Sequence, residues 1–122
     1  MHIRDIHTAE YFTSRDGCRL SELLHPKNDS DLTMDMSLCH CILGPGEATI
    51  PHRLECQTEV YYILSGRGEM HIDDEEANIS SGQTVPVPPG AVQWIANTGT
   101  DDLVFLAICQ PQWKEADEVI VG

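Results

Sequence analysis

Positive charge is scarce in this chain. Only 7 of its 122 residues are Lys or Arg, against 20 Asp or Glu, and the formal net charge is −13. Phosphate contacts need Lys and Arg, so this balance argues against a nucleic-acid partner and against an anionic membrane surface. Long apolar runs are missing; none approaches the roughly 20 residues of a membrane span. The segment Met1-His2-Ile3-Arg4-Asp5-Ile6-His7 has no apolar core of the kind a signal peptide needs. There is no CxxC, and the five cysteines (Cys18, Cys39, Cys41, Cys56 and Cys109) are an odd number, which does not suggest a disulfide framework. The expectation is a cytoplasmic protein in a reducing compartment, with most thiols serving as small buried apolar groups. Repeats and low-complexity segments are also absent, and few stretches could hold a long amphipathic helix. The surplus of acid reads first as solubility.

What remains is an all-β pattern. A chain of this length suits one domain with one core, taken here as residues 1–122. Short β-branched or aromatic runs alternate with turn signals about every ten residues, as in a sandwich or barrel. Tyr11-Phe12-Thr13 leads through the turn dipeptide Asp16-Gly17 into Cys18-Arg19-Leu20. Residues 34–43 read as a long strand stopped by Gly44-Pro45-Gly46. Residues 59–64 and 69–72 read as a hairpin around Ser65-Gly66-Arg67-Gly68, followed by an acidic turn at 73–76. Residues 84–87, 91–96 and 103–109 are three more strands. Pro86 cannot donate to a ladder, so one side of its strand is expected to be unpaired or bulged. The acidic tail from Pro111 to Gly122 is expected to pack through Trp113 and to cover a barrel end or reach a second subunit.

Two spaced patterns stand out. The first is Gly46, five residues, His52, Leu54, Glu59, six residues, Gly66. The second is Gly82, five residues, Pro88-Pro89-Gly90, two residues, Gln93, three residues, Asn97. Together they resemble the paired motifs of cupins, G-x5-H-x-H-x(3,4)-E-x6-G and G-x5-P-x-G-x2-H-x3-N. The resemblance covers about residues 38–110 and implies a double-stranded β-helix, or jelly-roll, barrel. It also implies a homodimer that packs sheets or swaps N-terminal strands, with Met34 and Met36 as candidate contacts. Two family ligand positions depart from the pattern: Leu54 and Gln93 stand where histidines would be. The set of two histidines and a carboxylate that an iron oxygenase uses is therefore broken.

Side chains alternate faces along a strand. Ile63 is a core candidate, so Glu59 and Tyr61 should point inward with it, and Gln93 should share a face with Ile95. A carboxylate on a core face must be paired, ligated or protonated. The resemblance brings His52, Glu59 and Gln93 together at the barrel mouth. Two readings stand side by side. In one, a divalent metal (Zn, Mn, Ni or Fe) is held by His52, Glu59 and Gln93. In the other, a metal-free cluster has Glu59 accepting from Gln93 and a charged His52. Cys41, Cys109 and His40 are further groups that could complete the site, with a core role for the cysteines favoured. Gln57 is a weaker alternative amide. Trp94 should face opposite to Gln93, and His71 should lie at the surface or rim.

The expected function is binding of a small polar metabolite. Glu59 and Tyr61 are the candidate catalytic residues of an isomerase- or lyase-type enzyme acting on a sugar or carbonyl compound. The alternative is a non-catalytic module that binds a small ligand or a metal.

Overall fold

The computed structural model describes all residues, 1–122. Its strands form two antiparallel sheets. The first has six strands in the order β1 (Phe12–Thr13), β2 (Arg19–Leu24), β3 (Ser37–Leu43), β10 (Leu103–Gln110), β5 (Thr58–Ser65) and β8 (Thr84–Val87). The second has five, in the order β11 (Glu118–Ile120), β4 (His52–Leu54), β9 (Gln93–Asn97), β6 (Arg67–Ile72) and β7 (Glu75–Ser80). The non-consecutive order, with the chain passing back and forth between sheets, is the double-stranded β-helix that the motifs implied. No helix is long and apolar enough to cross a membrane.

The core sits between the sheets and follows the strand alternation. Leu43 from β3, Ile63 from β5, Ile95 from β9, and Leu103 and Phe105 from β10 are all fully buried. Removing each such side chain from water is worth about 1.5–3 kcal/mol. Asn97 closes one end. Its Nδ2 donates to the carbonyls of Leu43 (2.9 Å) and Asp101 (2.8 Å), and its Oδ1 accepts from the Gly99 amide (2.9 Å). This motif residue is thus explained by the fold alone. Pro86 lies in β8 at the edge of its sheet, where the missing donor faces no neighbour.

Three local expectations are corrected. The strand expected from residue 34 begins at Ser37. Residues 59–64 and 69–72 are not a hairpin: β5 pairs with β10 and β8, whereas β6 pairs with β7 and β9. Gly66 is the single residue between them and turns the chain from one sheet into the other. The acidic turn shrinks to Asp73-Asp74, and Glu75 opens β7, whose residues are exposed except Ile79. With one face in water and almost no apolar alternation, β7 carried no strand signal.

The tail closes the other end, as expected. The β11 strand pairs with β4. His25 Nδ1 accepts from the Lys27 amide at 3.1 Å, which leaves Nε2–H to donate to the Trp113 carbonyl at 2.7 Å. The Trp113 amide in turn donates to Ser37 Oγ at 3.0 Å.

Two glycines separate strain from crowding. Gly66 (φ +85°) and Gly82 (φ +90°) are both left-handed, but a Cβ on Gly66 would lie 2.5 Å from the Asp102 carbonyl oxygen, whereas one on Gly82 would meet nothing within 4 Å. Gly82→Ala should cost about 1–2 kcal/mol in urea unfolding, and Gly66→Ala roughly 3 kcal/mol or more. Equal losses would contradict the corner assigned to Gly66.

Candidate functional site

A cavity of about 310 Å³ lies against the inner face of the six-stranded sheet. Its polar wall is built by strand register. Cys109 on β10 stands opposite Glu59 on β5, and His52 on β4 stands opposite Gln93 on β9. Alternation then turns Glu59 and Tyr61 inward with Ile63, as the sequence predicted.

Glu59 is the central group. It is 8% exposed, and its Oε2 accepts a weak hydrogen bond from Cys109 Sγ at 3.5 Å. Its other oxygen, Oε1, has no hydrogen-bond partner. Burial pushes the carboxyl from its ordinary 4.5 up to about 7. The charge of His52 opposes this shift, Asp16 adds to it, and the Gln93 amide and Cys109 thiol oppose it weakly. The amide is near enough to favour the charged form, yet it closes no hydrogen bond to Oε1.

His52 is 2% exposed and its ring is fixed by its neighbours. Nδ1 lies 2.6 Å from the Ile50 carbonyl oxygen. A carbonyl only accepts, so Nδ1 carries a proton. Nε2 faces Asp16 Oδ2 at 3.4 Å. Ligand atoms of Asp16, His52 and Glu118 all lie within 4.8 Å of one another. Burial, with help from Asp16, raises the Glu118 carboxyl above its usual range.

Tyr61 Oη donates to Gln93 Oε1 at 2.5 Å, and burial holds its phenol well above the ordinary value. Gln93 is buried behind Tyr61 and is not among the residues lining the cavity. Leu54 is buried and offers no donor atom.

The other candidates separate clearly. Cys39, Cys41 and Cys109 line the cavity. Burial pushes the Cys39 thiol up to about 12 and raises Cys109, while Cys18 and burial together raise Cys41. All three are neutral thiols, the form that neither attacks nor ligates readily. His40 points away and meets Tyr11 Oη at 2.8 Å. Gln57 Nε2 donates to Asp117 Oδ2 at 2.7 Å and to the Gln112 carbonyl at 3.2 Å, so it holds the tail. Trp94 and His71 stack on the outer face with ring centroids 3.5 Å apart.

Sequence reasoning missed Asp16 and Glu118. Asp16 was visible only as half of a turn dipeptide, and Glu118 was one acid among several in the tail. Only the pairing of β11 with β4 brings Glu118 to His52.

Comparison with known proteins gives four findings. The sequence model of the family described as "Cupin domain" matches residues 39–109. An uncharacterized protein of Methanocaldococcus jannaschii is 33% identical over 110 residues, covering 90% of this chain and 86% of that protein. An oxalate-binding protein of Thermotoga maritima is 38% identical over 66 residues, 54% of each chain. Among solved structures, a predicted oxalate decarboxylase of Thermotoga maritima superposes with a TM-score of 0.75 at 28% identity, covering 89% of this chain and 97% of its own.

A carboxyl raised in the folded state stabilises the fold while it holds its proton. That contribution is complete below about 4.5 and is lost as pH rises through about 7. For chelator-treated protein, the Glu59 contribution to urea stability should fall by up to about 3 kcal/mol across that window. Glu59→Gln should remove this fall and be the more stable protein above pH 7. Parallel curves for the two proteins would show that Glu59 is not desolvated.

Proposed function

The chain belongs to the cupin family, and on that premise we propose that it binds a small polar metabolite between its sheets and moves a proton on it. The reaction class is isomerase or lyase chemistry on a sugar or carbonyl compound, carried by a domain spanning residues 1–122. The observation that carries this reading is the unpartnered Oε1 of Glu59 on a cavity wall. A buried polar atom without a partner costs about 1–3 kcal/mol. A ligand hydroxyl or an acidic C–H seated against Oε1 relieves that cost. A carboxyl titrating near neutrality can both take up a proton and return it. Tyr61 is the second proposed proton-handling group, oriented by its bond to Gln93. Arg15 and Lys27 also line the cavity; Arg15 already donates to the Glu115 and Glu118 carbonyls and Lys27 pairs with Glu22, so a ligand carboxylate would meet them by sharing or displacing those contacts.

The motif donors are suited to a divalent cation. His52 Nε2 has its lone pair free when the ring is neutral, because Nδ1 is committed to Ile50, and Glu59 Oε1 is unpartnered. His52 and Glu59 would hold the ion, with Gln93 the weakest of the three expected donors since its oxygen already accepts from Tyr61. When bound, such an ion supplies Lewis-acid polarisation of a ligand oxygen. The reading also places the protein in the cytoplasm as a homodimer. Its five cysteines are free, and Phe12 in β1 and Met34 between β2 and β3 are exposed.

A second reading, a binding module without turnover, is favoured by Leu54 and by the name of the oxalate-binding relative. The two are separated by a metabolite screen followed by proton exchange. A metabolite that raises Tm should exchange its carbon-bound hydrogen in deuterated water when wild-type protein is added, and Glu59→Gln should slow this by about 10²–10⁴-fold while still binding. Binding with no exchange in the wild type would support the module and refute the enzyme.

A further inference from the structure

We propose that Asp16, His52 and Glu118 form a divalent-cation site, and that the cation fastens the β1–β2 turn and the C-terminal strand across one end of the barrel. Asp16 and Glu118 lie outside both sequence motifs. His52 Nε2 has one lone pair to give, so the ion is the one proposed above for His52 and Glu59, with Asp16 and Glu118 as further ligands. The inference rests on that cation but not on the metabolite chemistry.

The geometry fits one ion. Donor atoms bound at about 2.1 Å on a tetrahedral centre stand roughly 3.4 Å apart. His52 Nε2 and Asp16 Oδ2 are 3.4 Å apart, and all three donors fall within 4.8 Å of one another. The electrostatics also call for a cation. With Nδ1 committed to the Ile50 carbonyl, Nε2 is the ring atom turned toward two carboxylates, Asp16 and Glu118. The surrounding donors are few. Asp16 Oδ1 accepts from Ser14 Oγ at 2.5 Å and from the Cys18 amide at 3.0 Å. Glu118 Oε2 accepts from Trp113 Nε1 at 3.4 Å. Arg15 Nη1 approaches Glu118 Oε1 at 3.6 Å, but its side chain is 41% exposed, so water screens it.

A second observation points to a ligand in the same cavity. Glu59 Oε1 is nine-tenths buried without a partner and lines the same cavity as Asp16, His52 and Glu118. One imidazole with several carboxylate oxygens suits Zn²⁺, Mn²⁺ or Fe²⁺. The three ligands come from segments far apart in sequence, so their ion acts as a cross-link.

The test uses the full chain, stripped with chelator and titrated with Zn²⁺ and with Mn²⁺ by calorimetry, with elemental analysis of the product. One cation per chain is expected. Glu118→Gln and Asp16→Asn, each confirmed folded by circular dichroism, should each weaken binding at least about 10-fold, since even outer-shell changes cost that much. Glu76→Gln, in the outer Glu69–His71–Glu76 group, should change nothing. In the wild type, Zn²⁺ should slow amide hydrogen exchange in β11, a readout that stands even if Glu118→Gln fails to fold. No uptake by the wild type, uptake unaffected by Glu118→Gln and Asp16→Asn, uptake lost in Glu76→Gln, or unchanged exchange in β11 would each overturn the proposal.

Discussion

Because β5 alternates its side chains between two faces, Glu59 must follow Tyr61 and Ile63 into the space between the sheets. Ile63 is completely buried and Tyr61 nearly so. A slip of one residue would expose both in order to free the carboxyl. The barrel therefore places an acid where water is scarce. The residue opposite it, Cys109, is a poor donor, and the sheet supplies no better one. An unsatisfied oxygen, a carboxyl pushed toward neutrality and an attraction for donors or cations all follow from that single register.

The chain ends complete the enclosure. His25 is locked in one neutral tautomer and holds Trp113, which bonds Glu118, and Glu118 comes to rest beside His52. In the N-terminal direction, the β1–β2 turn delivers Asp16 to the same imidazole. The strands that carry the two motifs supply Glu59 and His52, while the flanking segments supply the carboxylates beside His52. Arg4 helps hold this flank by pulling the Asp29 carboxyl down to about 2, and Asp29 in turn accepts from the His25 amide.

The fold was legible where residues obey local rules. Spaced glycines, the Pro88-Pro89-Gly90 turn and the alternation through Ile63 and Ile95 placed most strands and their inward faces. Gly66 was misread, because a tight glycine turn between two strands looks the same whether the strands pair or part into different sheets. The β7 strand was missed because water covers nearly all of its side chains. For the site, the inward direction of Glu59, Tyr61 and Gln93 could be read from a period of two. The partners of His52 could not: Asp16 and Glu118 reach it through long-range pairing and a tail whose sequence shows only acidity.

The central claim is that Glu59 is a desolvated carboxyl. Its side-chain carboxyl carbon can be followed by ¹³C NMR in metal-free protein from pH 4 to 9. The account predicts one glutamate resonance titrating near pH 7, identified by its disappearance in Glu59→Gln. If that resonance titrates with the exposed glutamates in the ordinary range, the carboxyl is solvated and the chemistry assigned to the cavity is wrong.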